Sequence, residues 1–444
     1  MTLDELHAAA DSGEIDTVLI GLTDMQGRLM GKRMHVRHFL DEVVDHGAEA
    51  CSYLLAVDVE MNTVDGYPLS SWEGGYGDFC MAPDLSTLIR VPWQEGTAAV
   101  LCDLHWDDGT PVNPSPRQIL RAQLDRLAER GWMANAGSEL EFIVFEDSYE
   151  SAWDNGYRGL TPANRYNVDY SMLGTARVEP LLRRIRNTMA EAGMKVEDSK
   201  GECNFGQHEI NFHYADALTT CDRHTIYKNG AKEIAAEHGV SLTFMAKYDE
   251  REGSSCHLHL SIGQLDGSGN VYAADDEVFE QFLAGNLACA REFTLFFAPN
   301  INSYKRFAHG SFAPTTIAWG DDNRTCAFRV VGHGQGKRIE CRVPGGDVNP
   351  YLAISALIAS GLHGIEKKLK LQPMLVGNAY EDTEHERVPT TLREARELFA
   401  ASKVAKDAFG DEVVGHYLNM ADVEIAAYDA AVTDWERVRG FERL

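Results

Sequence analysis

Apolar and polar residues alternate through Ser138-Glu139-Leu140-Glu141-Phe142, and Ile143, Val144 and Phe145 continue the run. A period of two marks a strand with one buried face. It sets Glu139 and Glu141 on one side and Leu140, Phe142 and Val144 on the other. Gly131 and Gly137 before the run, and Asp147-Ser148 after it, read as turn signals. The alternation recurs three times. A loop carrying Glu202 and Gly206-Gln207 leads into a strand in which Glu209, Asn211 and His213 share a face opposite Ile210 and Phe212. Over 255–261, His257, His259 and Ser261 share a face, and over 338–343 Arg338 and Arg342 flank Glu340 with apolar residues behind.

A helical period takes over elsewhere. Residues 117–130 place Leu120, Leu124 and Leu127 on one face, with Gly131 where a C-cap belongs. Residues 2–11, 179–193, 222–238 and the tail from 411 to near Trp435 also read as helices. A strand over 16–22 turns at 25–28, and short strands continue to about 105, with loops at 65–68 and 81–84. Asp107-Asp108-Gly109 and the prolines from Pro111 to Pro116 punctuate the chain. The expected organisation is therefore α+β, with a small domain over 1–107 and a large one over 112–444.

Composition narrows the functional classes. Apolar residues make up 44% of the 444 and charged residues 25%, enough for a sizeable core. A net charge of −27 argues against nucleic acid and anionic membranes as partners. The 9 cysteines stand singly, with no C-x-x-C, as in a reduced cytoplasmic protein. The acidic start is no signal peptide, and no apolar run approaches the roughly 18 residues of a membrane span.

The strand faces carry the chemistry. Carboxylates on some strands and arginines on others suggest a cup with a charged interior, because one polar-faced antiparallel strand is ordinary and several are not. Carboxylates crowded in a cavity need cations. Oxygen ligands with a single nitrogen favour Mg²⁺ or Mn²⁺ over zinc. Arginines facing such ions imply a bridging polyanion, a nucleoside triphosphate above all. Gly332-His333-Gly334-Gln335-Gly336-Lys337 lacks the spacing and hydroxyl of a P-loop, so arginines and metals would hold the phosphates.

S-E-L-E-F at 138–142, Glu202 and Glu209 around Gly206-Gln207, G-S-S-C-H-L-H-L-S at 253–261, Asn302 to Arg306, Asn323-Arg324 with Arg329, and R-I-E-C-R-V-P before Asn349-Pro350-Tyr351 occur in a joint order that resembles glutamine synthetases of the bacterial dodecameric class, from about Asp16 to the terminal helix. The resemblance implies a β-grasp-like amino-terminal domain and a catalytic domain with a curved antiparallel sheet, akin to guanido kinases. It implies that Glu141, Glu202 and Glu209 hold a metal on the glutamate side, and that Glu139, His257 and Glu340 hold one at the ATP phosphates. Two or three Mg²⁺ or Mn²⁺ ions per site are expected. Arg306, with Gly253 beside it, would bind the glutamate α-carboxylate, Glu141 would help to seat that substrate, and Arg324, Arg329 and Arg342 would act on the transferred phosphoryl group. His259, Ser261, Arg338 and Arg329 would line the nucleotide pocket. The reaction implied is phosphorylation of the glutamate γ-carboxylate by ATP, then attack by an amine, in a homododecamer of two stacked hexamers with sites between subunits.

Departures point to the amine. Where glutamine synthetases carry a flap glutamate that binds and deprotonates ammonium, this chain has Phe312, which could instead pack against a carbon chain or an organic ammonium. Glu252 and Phe205 also depart from the usual pattern. The chain is similar to the γ-glutamylamine ligases, γ-glutamylethanolamide synthetases first and γ-glutamylpolyamine synthetases next; a glutamine synthetase using ammonia is the alternative. Asp65 (from a neighbouring subunit) and Glu202 both stand as candidates for taking the amine's proton. Tyr380 falls near a tyrosine that some relatives adenylylate, without the flanking pattern.

Overall fold

A computed structural model describes residues 1–444. The amino-terminal sheet comprises β1 (Thr17–Thr23), β2 (Leu29–His35), β3 (Ala48–Cys51), β4 (Asp78–Pro83), β5 (Ile89–Arg90) and β6 (Thr97–His105). Its order is β2-β1-β6-β4-β3, with β5 on β6 and β1 parallel to β6. The helix Leu3–Ser12 is closed by a Thr2–Glu5 capping box and packs Leu6, Ala9 and Ala10 into a core with Val18, Ile20, Phe79 and Val100. The expected loop at 81–84 is strand as far as Pro83. Proline fits there because it is the last residue of β4, where a missing N–H breaks no ladder.

The second sheet is built from β7 (Trp132–Phe145), β8 (Val196–Gly201), β9 (Gln207–Phe212), β10 (Ala215–Asp216), β11 (Ser241–Thr243), β12 (Cys256–Gln264), β13 (Trp319–Asp321), β14 (Phe328–Val331) and β15 (Arg338–Cys341). Its order is β13-β14-β15-β12-β7-β9-β8, with β10 and β11 also on β7. All its pairs are antiparallel except β13 with β14, so the sheet is mixed where an antiparallel one was expected. Gly137 is not a turn: it sits inside β7 opposite His259. His213 leaves the expected face because β9 ends at Phe212; it lines a small recess with Ile210, Phe212 and Tyr227 on the other side.

Helices back this sheet. Leu140, Phe142, Val144, Ile210 and Leu258 are buried against them, so the polar face of every central strand is left for the cavity. The helix Pro116–Ala128 starts on a proline at its first position and buries Ile119, Leu120 and Leu127, while Leu124 is only half buried. The helix expected at 222–238 starts earlier, at Ala217, capped by Asp216. The tail helix Lys403–Ala430 is broken at Gly410, whose φ of +80° no helix contains, and Asp434–Gly440 follows it.

Arg117 joins the two sheets' surroundings. Its guanidinium donates to Asp222 at 3.0 Å, to Asp103 on β6 at 2.5 Å and to Asp84 at 2.7 Å, with only 3% of its side chain exposed. Tyr351 also donates to Asp222, at 2.6 Å. Breaking a buried pair from one side leaves a desolvated charge, which costs about 3–5 kcal/mol. Arg117→Met should therefore destabilise by about 3 kcal/mol or more in denaturant titrations. Adding Asp222→Asn should recover part of that loss.

Candidate active site

Strand register assembles the site. Lys200 on β8, Glu209 on β9 and Glu141 on β7 stand opposite one another across three strands. One residue pair further, Glu139 on β7 faces His257 on β12. His259 faces Glu340 on β15, and Arg329 on β14 faces Glu340 from the other side. Lys200 with Glu209 and Arg329 with Glu340 thus meet as cross-strand pairs of opposite sign, whereas Glu141 and Glu209 oppose like charges. Glu139, Glu141, Lys200, Glu209, His257 and Arg329 floor a cavity of about 870 Å³ whose walls include Arg306, Arg324, Arg342, Glu252 and Phe312.

The first corner holds oxygen ligands only. Carboxylate oxygens of Glu141, Glu202 and Glu209 lie within 4.8 Å of one another. Glu141 is oriented by the Ser255 N–H at 2.8 Å, the Ser255 hydroxyl at 2.5 Å and the Gln207 amide at 3.0 Å. Gln207 also donates to the carbonyl of Gly253 at 3.0 Å. Burial and the charge of Glu141 push Glu202 up to about 7, against the pull of Lys200. The same causes hold Glu209 well above the usual carboxylate range. Lys200 reaches into this corner and pairs with Glu202. Burial opposes its charge, but Glu209 and Glu202 outweigh burial and raise its pKa. Three hard oxygen donors carrying more negative charge than one lysine offsets fit a divalent cation of the Mg²⁺ or Mn²⁺ type.

The sign of the pH dependence follows. Glu202 titrates higher folded than unfolded, so its contribution to stability is complete below about 4.5 and is lost as pH rises through about 7. In chelator the protein should melt at a lower temperature at pH 8 than at pH 5.5, and excess Mg²⁺ should remove most of that difference. Thermal scans across pH with and without the ion check this.

The second corner mixes oxygen and nitrogen. His257 Nδ1 lies 3.2 Å from Glu139 and 3.4 Å from Glu340. His259 also comes within 4.8 Å of both carboxylates, but its nitrogens are occupied. Arg338 Nε donates to His259 Nδ1 at 3.1 Å, which places the ring proton on Nε2, where it donates to Glu139 at 2.9 Å. His257 also meets Glu139 through Nδ1, but that one nitrogen lies within 3.4 Å of both Glu139 and Glu340, which favours it as the nitrogen ligand. Burial alone would raise Glu139, but hydrogen bonds from His257 and His259 outweigh it and hold the carboxyl well below its usual range. Glu340 is fully buried and clamped by Arg329 at 2.9 Å and Arg342 at 2.5 Å. His259, Ser261 and Arg338 lie further along the same strands, outside the cavity wall.

Arg306 closes the floor. It is buried, donates to the carbonyls of Val343 at 2.7 Å and Arg342 at 2.9 Å, and is drawn down to about 10 by burial, partly offset by Glu141. Gly253 is required beside it, since a Cβ there would meet the Ala246 carbonyl at 2.3 Å and Arg306 Cγ at 2.8 Å. Phe312 stands on the rim, 55% exposed, with φ at +58°. A non-glycine residue in that region costs about 1–2 kcal/mol. The flap is tied down on both sides of it: Ser311 donates to the Arg306 carbonyl at 3.2 Å and Tyr380 to the Ala313 carbonyl at 2.9 Å. Tyr380 is buried in doing so. Asp65 lies outside the cavity, exposed on a loop whose carbonyl accepts from Asn419 at 3.0 Å.

Lys200, Gln207 and Ser255 escaped sequence reasoning as site residues. The alternation Asp198, Lys200, Glu202 was a readable signal for the first, but nothing in the sequence sets β8 against β9.

A family model described as glutamine synthetase, catalytic domain, matches residues 113–439. The chain is 64% identical over 444 residues to gamma-glutamylethanolamide synthetase GlnA4 of Streptomyces coelicolor, covering all of this chain and 96% of the relative. It is 40% identical over 435 residues to a glutamate–isopropylamine ligase of Pseudomonas sp, covering 96% and 95%. A solved structure described as a GmaS/ADP complex superposes with a TM-score of 0.86 at 28% identity, covering 98% of this chain and 99% of its own.

Proposed function

The chain belongs to the glutamine synthetase family, and from that premise we propose that it is an ATP-dependent ligase joining the γ-carboxylate of L-glutamate to a small primary amine, ethanolamine first among them. Glu141, Glu202 and Glu209 would hold one divalent ion and Glu139, His257 and Glu340 another, as Mg²⁺ or Mn²⁺, two or three per site. Bound there, such ions neutralise charge at the transferring phosphoryl group and at the γ-carboxylate.

The protein's own residues do the rest. Arg306, with the close approach Gly253 permits, seats the α-carboxylate. The glutamate γ-oxygen attacks the terminal phosphorus of ATP, the bond to ADP breaks, and Arg324, Arg329 and Arg342 stabilise the charge in transit. The amine nitrogen then attacks the γ-glutamyl phosphate, phosphate leaves, and a carboxylate takes the proton. Glu202 is this chain's own candidate for that step, and Asp65 would serve from a neighbouring subunit of a dodecamer. His259, Ser261 and Arg338 would meet the nucleotide. The nine unpaired thiols support a reducing cytoplasmic setting, and no helix is long and apolar enough to cross a membrane.

Phe312 is the observation that carries an organic amine over ammonium: the residue on the rim can pack against a carbon chain but cannot accept a proton. Phosphate release from ATP with L-glutamate and Mg²⁺ tests this against ammonium, methylamine, ethanolamine, putrescine and spermine, with product masses checked. Turnover with ethanolamine and little with ammonium is expected. Turnover with ammonium alone would make the protein a glutamine synthetase.

A further inference from the structure

The carboxylate corner contains a cation of its own. Lys200 projects from β8 opposite Glu209 and pairs with Glu202, at the edge of the corner where the oxygens of Glu141, Glu202 and Glu209 lie within 4.8 Å of one another. From that same position the ammonium also borders a second set of partners. Asp169 Oδ1 is 3.9 Å from Nζ, and the ring of Tyr170 is 4.8 Å away. That neighbourhood is built by a close approach of backbones: a Cβ on Gly201 would meet the Val168 carbonyl at 2.3 Å, and the Tyr170 N–H donates to the Gly201 carbonyl at 3.5 Å. Cys203 Sγ, 3.7 Å from Asp169 Oδ2, marks the far side of the same spot.

We propose that Lys200 is a positioning residue with two seats, holding the Glu141–Glu202–Glu209 corner together and giving way to the divalent ion by moving onto Asp169 and Tyr170. This rests on the reading that the corner binds such an ion. The charges support an exchange: the carboxylates of this corner repel one another at close spacing, one ammonium offsets only part of that repulsion, and a divalent ion among the same oxygens would repel an ammonium left beside it. A lysine suits the exchange because its charge is a point on a flexible stem with no fixed fork to satisfy. The aromatic face and Asp169 then receive the displaced charge, so that neither ion nor lysine is left unpaired.

The experiment is a Mn²⁺ titration of the full-length protein without nucleotide, read by the electron paramagnetic resonance of the free ion, on the class of site that E209Q eliminates. Lys200→Met should tighten that site on the order of tenfold, since a competing cation is gone. Tyr170→Leu, which changes no charge and lies on an exposed side chain, should weaken it by about two- to fivefold. In the K200M background Tyr170→Leu should have no effect, because nothing remains to be reseated. In chelator K200M should melt about 2 °C below wild type, and saturating Mn²⁺ should abolish that gap. Unchanged or weaker Mn²⁺ binding by K200M overturns the proposal, as does an equal effect of Y170L in both backgrounds. Should K200M fail to fold, Y170L in the wild-type background decides: unaltered binding overturns the second seat. Absence of Mn²⁺ binding at this corner in wild type would instead overturn the metal-site reading, and the two-seat lysine with it.

Discussion

Glu141→Ala should leave the enzyme with roughly a thousandth of its wild-type rate or less, because a group organising a catalytic metal supplies several kcal/mol of transition-state stabilisation. The loss has two parts. One is a ligand of the oxygen corner, whose partners Glu202 and Glu209 remain. The other is the anchor for three donors, since the Ser255 N–H and hydroxyl and the Gln207 amide all converge on this carboxylate. Stranded donors in a buried site cost about 1–3 kcal/mol each to leave unmade. A drop in melting temperature should therefore accompany the drop in rate. Phosphate release at saturating glutamate, ATP and ethanolamine measures the first, and a thermal scan the second. Activity within tenfold of wild type would remove Glu141 from the site.

Phe312→Glu should exchange one substrate for another. The side chain stands on the cavity rim at +58° in φ, so a glutamate there inherits the same backbone strain and gains a solvated carboxylate. A positioned base is worth about 10²–10⁴-fold, and ammonium-dependent turnover should rise on the order of 10²-fold. Ethanolamine turnover should fall as the apolar wall is lost. Competition between the two amines in one reaction, resolved by product mass, reads both changes together. An unchanged ratio would mean that the amine is chosen elsewhere in the cavity, with Glu252 and Cys203 the next residues to test.

Alternation along a strand exposes which side chains share a face, and it sets Glu139, Glu141, Glu209, His257 and Glu340 on polar faces, while their grouping into two corners rests on the resemblance to glutamine synthetases. What alternation cannot supply is which strand lies beside which. Lys200 becomes a site residue only because β8 pairs with β9 in a register that opposes it to Glu209. Gln207 and Ser255 matter through hydrogen bonds made across strands, and their own segments give no hint of the acceptor. His213 continues the period correctly, but the strand stops one residue earlier. Gly137 reads as punctuation because glycine so often ends a strand, whereas here a long central strand simply runs through it. Burial of Tyr380 is equally hidden, since its partner is a backbone carbonyl 67 residues away.

Arg117 bears on how the chain can be divided. Two of its three carboxylates, Asp84 and Asp103, belong to the amino-terminal sheet's part of the chain, and Met25, Trp93 and Leu101 from that part are buried in the larger core. A fragment cut to residues 113–439, the span of the family model, would carry an arginine stripped of those partners and an uncovered apolar face. The amino-terminal portion should therefore not behave as a detachable module. Calorimetry of the intact chain should show one transition with both sheets lost together, and limited proteolysis should release no stable piece from either side of Pro116.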